Sequence, residues 1–413
     1  MRVQTQLAPR FRTSPEAKEA ERIIGKCVHC GFCNATCPTY QLLGDELDGP
    51  RGRIYLIKQV LEGQPATERT QQHLDRCLTC RNCETTCPSG VKYGHLIDIG
   101  RNLIEKEVPR RATDRTARTA LREGLTGAWF APTLKLGQAF RSWLPQPIRN
   151  AVPAPVDAGR WPSRRQPRRM LLMPGCVQPS LRPTINAATA RVLDAAGIEL
   201  TVASGGCCGA IRQHLVDPQG ALREVRSNID AWWPKLESGD CEALLTNASG
   251  CAAMVLEYGH LLRDDPRYAE RARKVSELTR DVSQVLAGCA PQLSERLRAA
   301  EPSQRVAFHP PCTLQNALKL GGATERLLTS LGAKLTAFEE SHLCCGSAGT
   351  YSVLQPQLAR ALRDRKLERI RAAKPDIIVS SNIGCIQHLQ TGTDVPVTHW
   401  VEWLDRRLFG SDA

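Results

Sequence analysis

At 413 residues, 42% hydrophobic and 5% aromatic, the chain is long enough for two or three packed domains. Its eighteen cysteines cluster in motifs, which argues against a secreted disulfide framework and for metal held in a reducing compartment. A net charge of +13 raises nucleic acid as a partner, but no recognised nucleic-acid motif accompanies it, and neither a G-x-G-x-x-G after a strand nor a P-loop is present.

Residues 1–12 lack an apolar h-region and a small-residue cleavage site, so no secretory signal is expected. No stretch reaches eighteen apolar residues, so no spanning helix is expected, and the chain reads as cytoplasmic or peripheral to a membrane. A short helix over 14–25 leads into Cys27-x2-Cys30-x2-Cys33-x3-Cys37-Pro38. A turn-rich loop at 44–50 precedes Arg51-Gly52-Arg53 and a helix over 54–61. Another short helix, 70–75, precedes Cys77-x2-Cys80-x2-Cys83-x3-Cys87-Pro88, and a helix over 95–107 closes the region.

The two runs repeat at an offset of fifty residues. Three thiolates two residues apart wrap one face of a cubane from a single loop, and the fourth is carried away at the proline to the other cluster. Cys27, Cys30, Cys33 and Cys87 are therefore assigned to one [4Fe-4S] cluster, and Cys37, Cys77, Cys80 and Cys83 to a second. Zinc needs only four thiolates and usually two C-x2-C pairs. His29, inside the first run, is read as packing or as a neighbour of the cluster's ligands rather than as a ligand, since four thiolates are already supplied. Arg51 and Arg53 read either as solvated or as guanidinium groups that stabilise a reduced, more negative cluster.

Residues 110–169 change in texture: thirteen Arg and Lys stand against three Asp and Glu, a local net charge of +10, with Trp129, Phe130, Phe140, Trp143, Trp161 and seven prolines. The stretch reads as an exposed basic linker, or as a docking surface for an acidic partner or anionic lipid. Short helices separated by turns are expected there.

From residue 170 strands alternate with helices, which implies parallel βαβ units. Strands are expected at 170–173, 198–202, 243–246, 306–308, 334–338 and 377–380, and helices at 184–196, 323–331 and 357–372. The order recurs at an offset of 134 to 137 residues at matching cysteines. Each half gathers four behind its strands, where open α/β sheets place their sites: Cys176, Cys207, Cys208 and Cys251, then Cys312, Cys344, Cys345 and Cys385. Cys241 and Cys289 have no counterparts and read as small buried hydrophobes. The fold class is α+β multidomain. A mainly helical two-cluster ferredoxin-like domain (1–109) and the basic linker (110–169) precede a duplicated α/β domain (170–300 and 301–413).

The Cys-Cys-Gly repeats resemble the CCG domain of heterodisulfide reductases and related oxidoreductases. That family ends each repeat in C-x-x-C, whereas Ala248 stands before Cys251 here and Asn382 before Cys385. Four thiolates could hold a further iron–sulfur cluster or another metal, or remain thiols at a partner interface. The combination of both cysteine patterns resembles the iron–sulfur subunit of glycolate oxidase. Residues 27–40, 44–58 and 77–91 carry that likeness most closely.

The resemblance implies an electron-transfer subunit of an oxidoreductase complex. FAD would reside in partner flavoprotein subunits that oxidise glycolate, and D-lactate as a second substrate, and a quinone or other acceptor would receive the electrons. Peripheral membrane contact fits such a role. No residue of the chain is assigned a catalytic or nucleotide-binding part. The alternatives are the iron–sulfur subunit of anaerobic glycerol-3-phosphate dehydrogenase and a stand-alone CCG-domain thiol or quinone reductase.

Overall fold

The amino-terminal quarter is built from four helices whose apolar faces meet over one core. The structure, a computed structural model, describes residues 3–143, 145–146, 149, 152–297 and 304–410. Helix Pro15–Ile24 starts where the Ser14 hydroxyl accepts from the Ala17 N–H at 3.2 Å, with proline at its first position. Its Ala17, Ala20, Ile23 and Ile24 pack against Ile54, Ile57 and Leu61 of helix Pro50–Leu61, Leu74 of helix Glu68–Asp75, and Leu96, Ile97 and Ile104 of helix Tyr93–Glu107. The second of these begins four residues ahead of the expected start, because Pro50 itself takes the first helical position. Gly52 is fixed by a close approach: a Cβ there would stand 2.2 Å from the Glu46 carbonyl oxygen.

The basic stretch is only partly a linker. It forms helices Ala112–Thr126 and Phe130–Ala139. Arg110 and Arg118 turn inward and pair with Asp75 at 2.6 and 3.0 Å. Glu123 pairs with Arg212 at 2.8 Å, tying the first helix to the α/β part. Strand β1 already includes Arg168 and Arg169, which pair with Glu242 and Glu199.

Two four-stranded, all-parallel sheets follow. The first, ordered β2-β1-β3-β4, contains β1 (Arg168–Leu172), β2 (Ile198–Val202), β3 (Leu244–Thr246) and β4 (Thr279–Asp281). The second, ordered β6-β5-β7-β8, contains β5 (Arg305–His309), β6 (Lys334–Leu335), β7 (Ile377–Ser380) and β8 (Val397–His399). The identical order is the structural form of the sequence repeat. Edge strands β4 and β8 were not expected from the sequence: at three residues each, and largely polar in β4, they carry no usable periodicity. Strand β6 stops at Leu335, short of the expected 338. The expected boundary between repeats at 300/301 and the chain ends lie outside the described residues.

Period-two alternation divides the strands between two layers. Met170, Leu172, Val306, Phe308 and Val379 enter one core shared by both repeats, together with Val192, Trp400 and Leu404 from helices Thr184–Ala195 and Trp400–Phe409. Leu171 and Met173 face an outer core of the first repeat, and Ala307 and Ile378 one of the second. The repeats also meet end to end, the Ser249 N–H donating to the Ser381 carbonyl at 3.1 Å. Ala248 and Asn382, the two replaced cysteine positions, adjoin this seam, and Asn382 packs on Gly250. Among the described residues no helix is long and apolar enough to cross a membrane.

Candidate metal centres

Both cysteine runs curl by the same backbone device. Left-handed residues stand between the first three cysteines: His29 and Gly31 (φ 53° and 85°) in the first run, Thr79 and Arg81 (φ 54° and 58°) in the second. Each pair bends the chain so that successive side chains converge on one side. Short helices Phe32–Ala35 and Asn82–Thr86 follow. The fourth cysteine is then extended, at φ −83°, ψ 116° for Cys37 and φ −76°, ψ 112° for Cys87, and the following proline turns the chain away.

The result is two cavities with sulfur-rich walls. One, of about 430 Å³, is lined by Cys27, Cys30, Cys33 and Cys87, with Cys83 at its border. The other, of about 300 Å³, is lined by Cys37, Cys77, Cys80 and Cys83. Each run therefore sends its fourth cysteine to its partner's cavity. The donor set suits an iron–sulfur group. Burial, then the neighbouring thiolates of Cys27, Cys87 and Cys30, push Cys33 up to about 12. Burial also pushes Cys80 and Cys83 well above the thiol range. Four such sulfurs ionise together only around a cationic core.

The cavities differ in surroundings. The first opens outward: Cys30 is exposed, as are Val28 and Phe32 at 42% and 60%. Arg51 stands beside it but is half-exposed and paired with Glu46 at 2.6 Å. The His29 carbonyl accepts from Arg51 at 3.5 Å, and its buried Nε2 has no partner among the described residues. The second cavity is walled by more deeply buried residues, among them Cys37, Cys77 and Tyr93. Arg53, 1% exposed, borders it, donating to the His73 carbonyl at 2.7 Å and the Thr39 hydroxyl at 3.1 Å. Thr39 in turn lies 3.3 Å from the Cys37 sulfur, and the Tyr93 hydroxyl 3.9 Å from that of Cys77. Buried Arg101 donates to the Cys77 carbonyl at 2.7 Å. The two arginines that the sequence left undecided thus part company: Arg53 is buried at the wall of the second cavity, and Arg51 is half-exposed at the edge of the first.

Each α/β repeat brings its four cysteines together. In the second, the Cys312 and Cys344 sulfurs are 3.8 Å apart, with Cys345 next in the chain and packed in one core with Cys385. In the first, Cys176, Cys207, Cys208 and Cys251 share one core. The glycine of Cys-Cys-Gly makes the turn. Gly209 and Gly346 have φ of +94° and +88°, and a Cβ on Gly346 would meet the Ala359 carbonyl at 2.5 Å. Cys241 and Cys289 pack in apolar cores instead.

Three residues here escaped sequence reasoning. Lys366 sits in a charged run, Arg363 to Lys366, that reads as solvated, yet it is 2% exposed. Burial pulls it down to about 8, while the Cys345 and Cys344 thiols hold it up. Asn316 donates to the Cys80 carbonyl. His95 of the helical part stacks on His260 of the first repeat at 3.9 Å and bonds Glu257 at 2.8 Å. Aligning the two repeats position by position was the one signal that could have singled out Lys366.

Comparison with known proteins agrees with this division. Residues 23–91 match a 4Fe-4S dicluster domain, and residues 170–256 and 306–390 each match a Cysteine-rich domain. The chain is 52% identical over 409 residues to the glycolate oxidase iron-sulfur subunit of Escherichia coli, covering 98% of this chain and 99% of that one. It is 32% identical to the probable glycolate oxidase iron-sulfur subunit of Bacillus subtilis, over 89% and 88% of the two chains. Lactate utilization protein A of Geobacillus thermodenitrificans is 26% identical over 54% of this chain and 92% of its own. A hypothetical protein from Helicobacter pylori shares the fold at a TM-score of 0.54 and 11% identity, over 97% of this chain and 74% of that one.

Proposed function

The chain belongs to the glycolate oxidase iron–sulfur subunit family, and on that premise we propose that it conducts electrons from flavoprotein subunits that oxidise glycolate toward a quinone or another acceptor. Oxidation of a 2-hydroxy acid releases two electrons at once, and the chain has no nucleotide fingerprint of its own, so that chemistry belongs to a flavin in a partner. Each [4Fe-4S] cluster, when bound, passes one electron at a time. Cys27, Cys30, Cys33 and Cys87 hold one cluster; Cys37, Cys77, Cys80 and Cys83 hold the other. Cys83 borders both cavities, which keeps the two groups close. The observation that carries the reading is this pair of adjoining four-cysteine cavities, one with an exposed rim and one walled by buried side chains. The former is where a partner's electrons enter, because Val28, Cys30 and Phe32 leave its rim accessible. D-lactate is a second substrate of such a complex, in keeping with the lactate utilization relatives. The four-thiol groups of the α/β repeats are the candidates for any further iron–sulfur or metal binding.

The test is the native complex, purified anaerobically. Flavoprotein subunits should copurify, and glycolate should reduce iron–sulfur signals in it but not in the isolated chain. A chain that purifies alone and is reduced by glycolate directly would refute the reading.

A peripheral contact with the cytoplasmic face of a membrane is a second element. Trp129, Leu136, Phe140 and Trp143 are 81%, 61%, 54% and 86% exposed, and Lys135, Arg160, Arg164 and Arg165 of the same stretch of chain are exposed too. Each basic residue near an anionic surface contributes about 1 kcal/mol, and the apolar side chains add a salt-resistant part. Arg110, Arg118, Arg168 and Arg169 are occupied in internal pairs and do not count toward that surface. Replacing Arg160, Arg164 and Arg165 with Gln should reduce flotation with anionic vesicles while the subunits stay together. Loss of the complex with flotation intact would assign the surface to the flavoproteins instead.

A further inference from the structure

We propose that the second α/β repeat, and not the first, is where electrons leave the helical part, and that Lys366 is the residue that makes its four-cysteine site competent to receive them. The inference rests on the iron–sulfur reading above and adds to it an order and an asymmetry.

The first ground is position. Cys80 of the second cavity and Cys312 of the second repeat flank one apolar cluster, with Leu78, Cys344 and Tyr351. Hydrogen bonds close the junction on three sides. Asn316 donates to the Cys80 carbonyl at 2.9 Å, Asn82 to the His342 carbonyl at 3.0 Å, and the Tyr351 hydroxyl to the Arg76 carbonyl at 3.1 Å. The first repeat's cysteines pack instead with Trp232, Tyr258 and Met254, in a core that contains no residue of the helical part. Their nearby charged groups are Glu224 and Arg212, the latter tied to helix Ala112–Thr126.

The second ground is charge. Lys366 and Asn228 occupy matching places, each ten residues beyond the proline that opens its helix. Asn228 is neutral and donates to the Cys207 carbonyl and the Tyr258 hydroxyl. Lys366 donates to the carbonyls of Glu340 and Ser341, which leaves its third N–H without a protein acceptor among the described residues. No carboxylate pairs with it; that of Glu340 is taken by Arg365 and Arg369. Three residues before each repeat's first cysteine, the first repeat has Met173 and the second has His309, whose Nε2 has no partner. A buried ammonium without a counter-ion is costly unless an anion sits beside it. Cys344, three residues beyond the Ser341 carbonyl that Lys366 holds, and Cys345 would supply that anion when they ligate metal as thiolates, while the Phe338 ring, 5.6 Å from Nζ, covers another side of the ammonium.

Four converging thiolates with no carboxylate or imidazole among them favour an iron–sulfur group over harder metals. In the step proposed, a group held by Cys312, Cys344, Cys345 and Cys385 would accept one electron from the cluster that Cys37, Cys77, Cys80 and Cys83 would hold. No bond forms or breaks, and the Lys366 ammonium offsets the added negative charge.

The experiment uses the anaerobic complex, with iron analysis and an electron paramagnetic resonance redox titration. Iron should exceed eight per chain. Cys344→Ser should lose the excess iron and its signal, whereas Cys207→Ser should keep both. Lys366→Met should retain the excess iron with its midpoint shifted to lower potential, or fail to load it, and Lys366→Arg should behave as wild type. Excess iron lost in Cys207→Ser but kept in Cys344→Ser would overturn the assignment, as would a loaded Lys366→Met with an unchanged midpoint. A wild-type count of only eight would instead refute metal in the repeats altogether, a separate failure.

Discussion

The side-chain amide of Asn316 donates to the main-chain carbonyl of Cys80 at 2.9 Å, joining groups 236 residues apart in the chain. Its second contact, to Asn82 Oδ1 at 3.0 Å, fixes one of the two residues between Cys80 and Cys83. Asn316→Ala would leave two buried acceptors each short of a donor, at a cost of about 1–3 kcal/mol. A lowered denaturant midpoint, with altered line shape of the Cys80 cluster, is the expected result. An unchanged midpoint would mean that water replaces the amide.

Arg53 should set the potential of the cluster of Cys37, Cys77, Cys80 and Cys83. A buried cation favours the reduced, more negative state, so Arg53→Met should lower that midpoint and leave the other cluster unchanged. A loss of ~1.4 kcal/mol corresponds to about 59 mV for a one-electron couple. Asp48 keeps Arg76 at 2.8 Å and His73 at 3.1 Å, so the variant does not strand that carboxylate. Potentiometric titration of both signals checks the selectivity. Equal shifts in the two clusters would point to a general loss of structure.

Crossed ligation makes a sharper demand. Cys87→Ala should disturb the cluster of Cys27, Cys30 and Cys33, although Cys87 lies in the other run, and Cys37→Ala should do the reverse. Because each cluster needs both runs, either change should also weaken folding of the helical part. Spectra in which each variant damages only its own run's cluster would contradict the crossed ligand sets.

Acid should loosen the contact between repeats through His399. Its Nε2–H donates to the Asn247 carbonyl at 2.9 Å, and its Nδ1 accepts from the Val401 N–H at 3.1 Å, so the neutral ring is the one that fits. Burial lowers its pKa to about 4, against the opposing pull of Glu402, with Arg182 also facing it. A base with a depressed folded pKa contributes stability that is complete above about 6.5 and lost as pH falls toward 4, here roughly 3 kcal/mol at most. His399→Asn should therefore lose less stability than wild type between pH 7 and 4. Parallel pH profiles from urea unfolding would exclude this role.

Local spacing determined much of this protein. The C-x2-C-x2-C-x3-C-P runs fix where the chain bends and which cysteines travel together, and proline and left-handed residues act within a few positions of each sulfur. The apolar strands were legible for the same reason, and the duplication because the same short cysteine motifs recur at an offset of 134 to 137 residues. The three-residue edge strands Thr279–Asp281 and Val397–His399 were not, since so short a segment takes its conformation from its neighbour in the sheet. Tertiary structure alone decided which charges are buried. Arg51 and Arg53 are two residues apart, yet only Arg53 enters the core, because helix Pro50–Leu61 turns that face toward Asp48 and the second run. Lys366 looks solvated in a run of charged residues until its helix is docked beside Cys344 and Cys345. Two repeats of like sequence thus became unlike sites, because burial and long-range contact depend on what packs against a side chain, not on its neighbours along the chain.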